Sequence, residues 1–280
     1  MKKILITGAN SYIGMSFETY IKEKFGSDYT VNTVDMIDGS WREKSFAGYD
    51  IVFHVAGIAH KKETKKNAYL YYKVNEHLAV AVAEKAKNEG VKQFIILSTM
   101  SVYGLVVGHI TKESKPAPVN NYGKAKYNAD LKIENLDCPT FKVAILRPPM
   151  IYGEGCKGNY QTLRKFALKS PIFPNYENKR SMLYVGNLSV FVKKLIDEEK
   201  SGLFFPQDAE YVCTADMVKK IAEHNGKSIR LTRVFNWVIS IALWLKIGVV
   251  KKVFGSLTYE NVDGVMEFNF GEVMRIIERR

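Results

Sequence analysis

The opening of the chain, residues 2–14, is the feature that most constrains the fold. Apolar residues that favour a strand run to Thr7, a glycine turn follows, and residues compatible with a helix begin near Ile13. Gly8 can make the tight turn, and Gly14 can let the helix lie close to the strand. A strand that enters a helix through such a loop leaves backbone N–H groups uncovered, and these can bind an anion such as a pyrophosphate.

The turn itself is only a weak signal for a dinucleotide, because Ser11 replaces the middle glycine of the usual pattern. An ordinary strand, turn and helix is the alternative. An acidic residue, Asp35, closes the next apolar run, 21 residues after Gly14. A carboxylate there can accept hydrogen bonds from ribose hydroxyls and would repel a 2′-phosphate. Because no Lys or Arg follows Asp35 before Arg42, the sequence favours NAD(H) and leaves NADP(H) as the alternative.

Composition limits the class of protein. The chain has 280 residues, of which 46% are apolar, enough for one large α/β domain with or without a small companion. Its net charge of +12 is spread along predicted helices, so we expect no nucleic-acid partner. The three cysteines lack paired spacing and predict neither a disulfide framework nor a metal site. The first apolar run ends too early for a signal peptide, so we expect a cytoplasmic protein.

Strand and helix patterns alternate along most of the chain. Buried strands are predicted at 2–7, 31–34, 49–55, 93–97 and 141–146, with helices at 13–24, 67–88 and 121–135. This alternation predicts an α/β fold with a Rossmann-type doubly wound parallel sheet and a smaller, mainly helical C-terminal lobe. We expect residues 1–150 and 182–206 to form an NAD(P)-binding domain. Residues 151–181 and 207–280 would then form a substrate-binding lobe.

Residues 234–250 form a strongly apolar segment in which Lys246 is the only charged residue. The segment is slightly short for a membrane span, which needs ~20 apolar residues, and a lysine lies within it. A packed pair of helices is one interpretation. An amphipathic anchor in a membrane interface is the alternative, so the sequence leaves open a peripheral membrane contact through this segment.

Three side chains form a candidate catalytic group. Tyr122 and Lys126 are four residues apart on a predicted helix and share one face, and Thr99 follows the strand predicted at 93–97. An ammonium group favours the phenolate, although bringing a tyrosine pKa from ~10 toward 7 needs roughly 4 kcal/mol. Such a tyrosine can give a proton to an oxygen as hydride reaches its carbonyl carbon, or take one in reverse. The Thr99 hydroxyl can hold the same oxygen.

The glycine loop, the Ser-Thr strand end and the Tyr–Lys pair together resemble the extended short-chain dehydrogenase/reductases, the NAD-dependent epimerase/dehydratase family. The resemblance covers nearly the whole chain. It implies that Thr99, Tyr122 and Lys126 are catalytic. The cofactor-binding residues that it implies are Gly8, Asn10, Ser11, Tyr12, Ile13, Gly14, Asp35, Val55, Ala56, Gly57, Asn75, Tyr122 and Lys126. The substrate-binding residues that it implies are Met100, Ser101, Met150, Asn159 and Arg180. A helix N-cap is the alternative for Asn159, and an ordinary exposed arginine is the alternative for Arg180.

Two departures from the family pattern limit which of the family's activities we expect. Met150 stands where many sugar epimerases and dehydratases carry an asparagine, and the usual Gly-Trp near the C-terminus is missing. The Asp-Glu pair that 4,6-dehydratases place directly after the catalytic threonine is also absent, since Met100 and Ser101 occupy those positions. Dehydration needs an acid and a base there, so we do not expect this activity.

Residues 98–104 and 144–153 are similar to a narrower set of bacterial capsule and O-antigen enzymes. This resemblance implies reduction of a UDP-linked 4-keto-6-deoxy-N-acetylhexosamine at C4 in surface-polysaccharide biosynthesis. A UDP-sugar 4-epimerase is the alternative, and a non-catalytic dinucleotide-sensing protein is a third interpretation. The family also implies a homodimer through helices near the fourth strand and Tyr122.

Overall fold

The computed structural model describes residues 1–59, 61, 63–260 and 267–278, which divide into two units. Unit 1 comprises Met1–Gly104, Pro116–Pro148 and Leu188–Pro206. Unit 2 comprises Leu105–Lys115, Pro149–Asn187 and Gln207–Arg280. These bounds differ from the expected domains mainly at residues 105–115 and 182–187. The assignment of one domain to the cofactor and the other to the substrate stays a prediction.

The elements follow one another along the described chain as short strands and helices. The strands are β1 (Lys2–Thr7), β2 (Tyr29–Val34), β3 (Ile51–His54), β4 (Gln93–Leu97), β5 (Gly108–Ile110), β6 (Lys142–Leu146), β7 (Met150–Tyr152), β8 (Ile172–Pro174), β9 (Met182–Tyr184), β10 (Gly202–Phe204), β11 (Arg230–Thr232) and β12 (Leu257–Tyr259). The α-helices are α1 (Tyr12–Phe25), α2 (Ala68–Tyr71), α3 (Ala79–Asn88), α4 (Asn121–Glu134), α5 (Asn159–Lys169), α6 (Val185–Asp197), α7 (Thr214–His224), α8 (Asn236–Trp244), α9 (Gly248–Phe254) and α10 (Phe270–Ile277). Two 3₁₀-helices, Ser40–Arg42 and Met100–Tyr103, and a π-helix, Tyr72–Leu78, complete the set.

The sheet of unit 1 has six parallel strands in the order β10-β6-β4-β3-β1-β2. The chain leaves β1 toward β2 on one side and returns to β3 on the other, so the strand order reverses at β1. In open α/β sheets, ligands bind in the crevice outside the carboxyl ends of the strands at this reversal. The predicted Rossmann-type parallel sheet is confirmed.

The strands of this sheet form where the sequence carries apolar runs that can be buried on both faces. Ile4, Leu5 and Ile6 of β1 have no exposed surface. In β4, residues 94–96 are also completely buried, and Leu97 is 9% exposed. The helix predicted over 67–88 is divided, because a wide π-turn at Tyr72–Leu78 separates α2 from α3. The π-turn shifts the apolar stripe over only seven residues, which is too short a segment for periodicity to distinguish it from a continuous α-helix.

Unit 2 combines helices with three two-stranded parallel pairs, β5–β12, β7–β9 and β8–β11. Each of these strands is three residues long. A three-residue strand is too short to carry an alternating pattern, so the sequence predicted a strand at 182–185, where β9 lies, and missed the other five. The lobe is therefore less purely helical than expected.

The core of unit 1 is tested by removing one large ring from β4. The Phe94 ring lies 6.2 Å from the ring of Phe141 and 6.0 Å from that of His54, between centroids, and has no exposed surface. We expect Phe94→Ala to lower the free energy of unfolding by about 3–5 kcal/mol in urea titrations, because it leaves a cavity. Ile37→Ala, at a position 91% exposed, is the control and should change it by less than about 0.5 kcal/mol. Equal losses in both variants would contradict the packing.

Candidate cofactor and catalytic site

The glycine loop between β1 and α1 lies against the end of β3. Gly8 has φ +113°, and a Cβ atom there would lie 2.9 Å from the backbone nitrogen of Ala56. A Cβ on Gly14 would lie 2.6 Å from Ser11 Oγ. The Gly8 N–H donates to the carbonyl of Val34 over 2.9 Å, which ties the loop to the end of β2 as well. Side chains at either glycine would push the loop away from the sheet.

The expected cofactor residues Asn10 to Gly14 come together at the N-terminus of α1. Asn10 adopts a left-handed backbone with φ 62°, and Ser11 caps the helix by accepting from the Gly14 N–H over 3.2 Å. Tyr12 and Ile13 begin α1, and the backbone N–H groups in the first turn of a helix point along its axis toward the N-terminus. The N-terminal end of a helix favours an anion, so this loop fits a pyrophosphate.

Asp35 directly follows Val34 at the end of β2, next to the glycine loop. Its side chain is exposed, and Oδ1 accepts a hydrogen bond from the Ile37 N–H over 2.9 Å. The second carboxylate oxygen can therefore accept from a diol, while the negative charge opposes a phosphate. This arrangement fits the ribose of NAD(H) better than the 2′-phosphate of NADP(H).

The loop after β3 is fixed from beneath by Asn75. Val55 and Ala56 donate their N–H groups to the carbonyl of Thr7, over 3.1 and 3.0 Å. The buried Asn75 amide accepts from the Ile58 N–H over 2.8 Å and donates to the Ile58 carbonyl over 2.9 Å. Both polar atoms of the Asn75 side chain thus hydrogen-bond to the backbone of this loop.

Gly57 connects this loop to the candidate catalytic group. A Cβ atom on Gly57 would lie 2.9 Å from Asn75 Oδ1 and 3.5 Å from Lys126 Nζ. The contact with Asn75 leaves no room for a side chain at this position. The candidate cofactor loop and Lys126 are therefore neighbours at one edge of the sheet.

Thr99, Tyr122 and Lys126 meet at the carboxyl end of β4. Thr99 caps the 3₁₀-helix Met100–Tyr103 by accepting from the Ser101 N–H over 3.2 Å, and its side chain lies near the Tyr122 hydroxyl. Tyr122 lies in the first turn of α4, which Asn120 caps by accepting from the Gly123 N–H. Lys126 is buried one turn later, and its ammonium donates to the Leu97 carbonyl over 2.7 Å. The structure brings the three side chains of the predicted group together.

Burial shifts the pKa values of this group in opposite directions. It raises the pKa of Tyr122 above its ordinary value, and the hydrogen bond with Thr99 opposes that rise. It lowers the pKa of Lys126 to about 8, against the attraction of Asp130. The lowered phenol pKa expected from the Tyr–Lys spacing is therefore not a property of the protein alone. The spacing predicts proximity, whereas burial decides the proton affinity.

Residues 4–203 match the model of the NAD dependent epimerase/dehydratase family. The chain belongs to this family. The resemblance seen in the sequence is confirmed, and the protein is an enzyme of this kind, with a nicotinamide dinucleotide as its cofactor.

Relatives in the family include both epimerases and reductases. UDP-glucose 4-epimerase of Vibrio cholerae is 29% identical over 283 residues, covering 91% of this chain and 82% of the relative. N-acetyl-α-D-glucosaminyl-diphospho-ditrans,octacis-undecaprenol 4-epimerase of Escherichia coli O157:H7 is 28% identical over 219 residues, covering 71% of this chain and 64% of the relative. The crystal structure of dTDP-4-dehydrorhamnose reductase from Bacillus anthracis, in complex with NADP, shares the fold with a TM-score of 0.74, at 19% identity over 99% of each chain.

A buried acid that sequence reasoning missed lies beneath the family's Tyr–Lys pair. Asp130 Oδ2 accepts from Ser98 Oγ over 2.8 Å and from Arg147 Nε over 2.9 Å. Burial raises the Asp130 pKa to about 6, although the Arg147 charge opposes the rise. Tyr122, Lys126 and Asp130 are spaced four residues apart, so the sequence did carry a signal that they share one face of α4.

Arg147, directly after β6, is a second buried charge at the base of the site. It is 6% exposed, and its Nη1 donates to the Tyr103 hydroxyl over 3.0 Å. Since its Nε is bound to Asp130, the side chain links the end of β6 to α4 inside unit 1. Arg147 therefore helps to fix α4 at the base of the site.

The residues expected to contact substrate divide between the two units. Met100 is buried and Ser101 half-buried directly after Thr99, in unit 1. Met150, at the start of β7, belongs to unit 2 with Asn159 and Arg180. Only Met100 and Ser101 are thus brought next to the catalytic group by chain connectivity. A substrate role for all five stays a prediction.

The alternatives for Asn159 and Arg180 are corrected by the structure. Asn159 is exposed in the first turn of α5, whose N-cap is Gly158, so the helix-cap interpretation is wrong. Arg180 is half-buried, and its Nη1 donates to the Gly255 carbonyl over 2.8 Å. Burial lowers its pKa, so Arg180 is also not an ordinary exposed arginine.

The lowered pKa of Lys126 predicts the direction in which the free energy of unfolding changes with pH. Because the folded pKa is about 8 and the ordinary value is 10.5, the unfolded chain holds more protons between these values, and raising the pH stabilises the fold. The stability of the wild type relative to Lys126→Met should rise by about 1.4 kcal/mol per pH unit in this interval, measured by urea unfolding. Lys124→Met removes an exposed lysine from the same helix as a control. A pH dependence of equal size for both variants would contradict the burial of the ammonium.

Proposed function

We propose that this protein transfers hydride at C4 of a UDP-linked hexose or hexosamine. The reaction that we propose first is reduction of a UDP-4-keto-6-deoxy-N-acetylhexosamine in surface-polysaccharide biosynthesis. The observation that carries the proposal is the meeting of Thr99, Tyr122 and Lys126 beside Gly57. A phenol, a hydroxyl and an ammonium group next to a dinucleotide-type loop suit proton-coupled hydride transfer to a carbonyl.

Each side chain of the group has a distinct role in this proposal. Bound NADH would supply the hydride to the carbonyl carbon. The Tyr122 phenol gives its proton to the carbonyl oxygen, which becomes the C4 hydroxyl. Thr99 hydrogen-bonds to the same oxygen and holds it in line with the phenol. The Lys126 ammonium stabilises the phenolate that the proton transfer leaves.

The substrate class is supported by the relatives and by charge. The relative from Vibrio cholerae is named for a UDP-sugar. The net charge of +12 suits an anionic diphosphate. Arg180 and Asn159 are the proposed contacts to that diphosphate, together with Met100, Ser101 and Met150 around the sugar. A homodimer and a cytoplasmic location are proposed as well, on the family resemblance and the sequence.

A UDP-sugar 4-epimerase is the second candidate. The specific observation in its favour is that the Vibrio cholerae 4-epimerase aligns with 91% of this chain. An epimerase oxidises C4 and returns hydride to the opposite face, using the same three side chains. Cofactor stoichiometry separates the two, because a reductase consumes one NADH for each product, whereas an epimerase consumes none.

A sugar joined by diphosphate to a polyprenol is a second candidate substrate. The relative from Escherichia coli O157:H7 is named for such a lipid-linked sugar. The exposed apolar segment around α8 and α9 in unit 2 favours a substrate with a lipid carrier. Turnover of the same sugar on UDP and on a short polyprenyl diphosphate distinguishes the two.

The proton donor is tested by Tyr122→Phe. Removing the phenol hydroxyl should lower kcat by about 10²- to 10⁴-fold, because general acid catalysis is lost, while NADH binding is retained. Tyr127→Phe, one turn along the same helix, is the matched control and should keep wild-type turnover. Steady-state kinetics and NADH fluorescence titration measure both. Undiminished turnover in Tyr122→Phe would reject the proposal.

Cofactor choice is tested at the end of β2. Asp35→Asn removes the negative charge that repels a 2′-phosphate but keeps a hydrogen-bonding side chain. We expect the ratio of kcat/KM for NADH to that for NADPH to fall by about tenfold or more, equivalent to about 1.4 kcal/mol. Asp38→Asn, in the same exposed loop, is the control. An unchanged ratio in Asp35→Asn would show that Asp35 does not set the preference for NADH over NADPH.

A further inference from the structure

Unit 2 carries an unusually apolar surface on residues 234–254, which we call the apolar hairpin. It consists of α8, a turn at 245–247 and α9. Its exposed large apolar side chains are Val234, Phe235, Trp237, Val238, Ile241, Trp244, Leu245, Ile247 and Val249. Trp237 and Trp244 are 67% and 79% exposed. A contiguous run of exposed aromatic and aliphatic side chains marks an interaction surface.

The periodicity of α8 is the reverse of that of an ordinary surface helix. Ile239 and Ala242 are buried and face unit 2. Trp237, Ile241 and Trp244 lie three or four residues apart on the opposite, exposed face. In a water-facing helix that face would be polar. The segment is thus a pair of helices, as one interpretation predicted, and α8 packs through one side only and leaves the other exposed.

The apolar hairpin is firmly built into unit 2. Asn236 Nδ2 donates to the carbonyl of Asn175 over 2.9 Å. At the other end, the Val253 carbonyl accepts from Thr214 Oγ1 over 2.8 Å, and the Phe254 ring lies 5.7 Å from that of Phe173. The exposed face is therefore presented by a folded element with fixed ends.

The charged residues of this segment are all basic, and one of them, Arg233, forms an exposed ion pair with Glu177 over 3.6 Å. Residues 230–254 contain the basic residues Arg230, Arg233, Lys246, Lys251 and Lys252 and no acidic residue. Lys246 lies at the turn between the two helices, with φ 58°. A basic border around an apolar, tryptophan-containing face is the arrangement that binds the interface of an anionic bilayer. Tryptophan prefers the depth of the lipid headgroups.

The helices of the apolar hairpin suit contact with a bilayer surface. α8 has nine residues and α9 has seven. No helix in the described residues is long and apolar enough to cross a bilayer. At 1.5 Å per residue, α8 reaches about 14 Å, roughly half of a hydrocarbon core of about 30 Å.

We propose that the apolar hairpin docks this protein on an anionic lipid surface, with Trp237, Ile241 and Trp244 among the headgroups. The charge argues against a second copy as the occupant. In a two-fold dimer through this face, each copy would bring the same basic residues to one interface, where like charges repel. An anionic lipid surface complements both the apolar face and its border.

The experiment uses the whole protein and vesicles without cofactor or substrate. Vesicles made of equal parts of phosphatidylglycerol and phosphatidylcholine should bind the protein in flotation assays. Vesicles of phosphatidylcholine alone should bind it at least about tenfold more weakly. Two of the three tryptophans lie on the apolar hairpin, and the third, Trp41, is buried. Binding should therefore shift the fluorescence to shorter wavelength, and brominated lipid should quench it.

Matched variants separate the surface from a general effect of charge. Ile241→Glu should weaken vesicle binding by about tenfold or more, since it places a carboxylate on the inserted face. Ile276→Glu on α10 makes the same change at a similar exposure, 43% against 48%, and should bind as the wild type does. Lys251→Gln/Lys252→Gln should reduce the preference for the anionic vesicles. Circular dichroism checks that each variant is folded.

Three results would overturn the proposal. The first is failure of the wild type to bind anionic vesicles. The second is equal loss of binding in Ile241→Glu and Ile276→Glu. The third is a dimer in lipid-free sedimentation that Ile241→Glu converts to a monomer, since a second copy would then cover the face. Because the assay measures no turnover, its failure is distinct from failure of the hydride-transfer proposal.

Discussion

The hydrogen bond between the buried ammonium of Lys126 and the carbonyl of Leu97 is the interaction on which the site depends. It fixes the first turns of α4 against the carboxyl end of β4, which sets Tyr122 beside Thr99. Burying this charge is unfavourable and lowers the Lys126 pKa to about 8. Asp130, one turn further along α4, offsets part of that cost, because its own charge is held by Ser98 and Arg147. The candidate catalytic group is thus supported by a polar network whose members are each at most 6% exposed.

A second constraint is the close approach of two loops at the point where the strand order reverses. Gly8 and Ala56 come within a distance that a Cβ atom would not allow, and Asn75 clamps the backbone of Ile58 from the other side. Gly57 then brings this loop next to Lys126. The N-terminal end of α1, proposed to bind the cofactor, and the candidate catalytic group of α4 therefore lie at one edge of one sheet. This proximity is what couples cofactor binding to chemistry in the proposed reaction.

Sequence reasoning succeeded where the determinant is local. Gly8 and Gly14 were predicted from the strand–turn–helix pattern, and the Tyr122–Lys126 pair from its spacing. It failed where the determinant is burial or a distant contact. Spacing says nothing about desolvation, which raises the pKa of Tyr122 in the protein alone. Arg147 binds Asp130 inside unit 1, which no local pattern shows. The sequence could not decide whether residues 234–250 are packed or exposed, because the same apolar run is compatible with a packed helix and with a helix at a membrane surface. Roles for the site residues toward cofactor and substrate stay predictions.

The path of the hydride tests the central claim most directly. Wild-type protein is incubated with NADH deuterated at C4 of the nicotinamide and a UDP-4-keto sugar, and the product is analysed by mass spectrometry and NMR. We expect one deuterium at C4 of the sugar and none at any other carbon. A product without deuterium, or with deuterium at another carbon, would contradict a site built for hydride transfer beside the Tyr122 phenol.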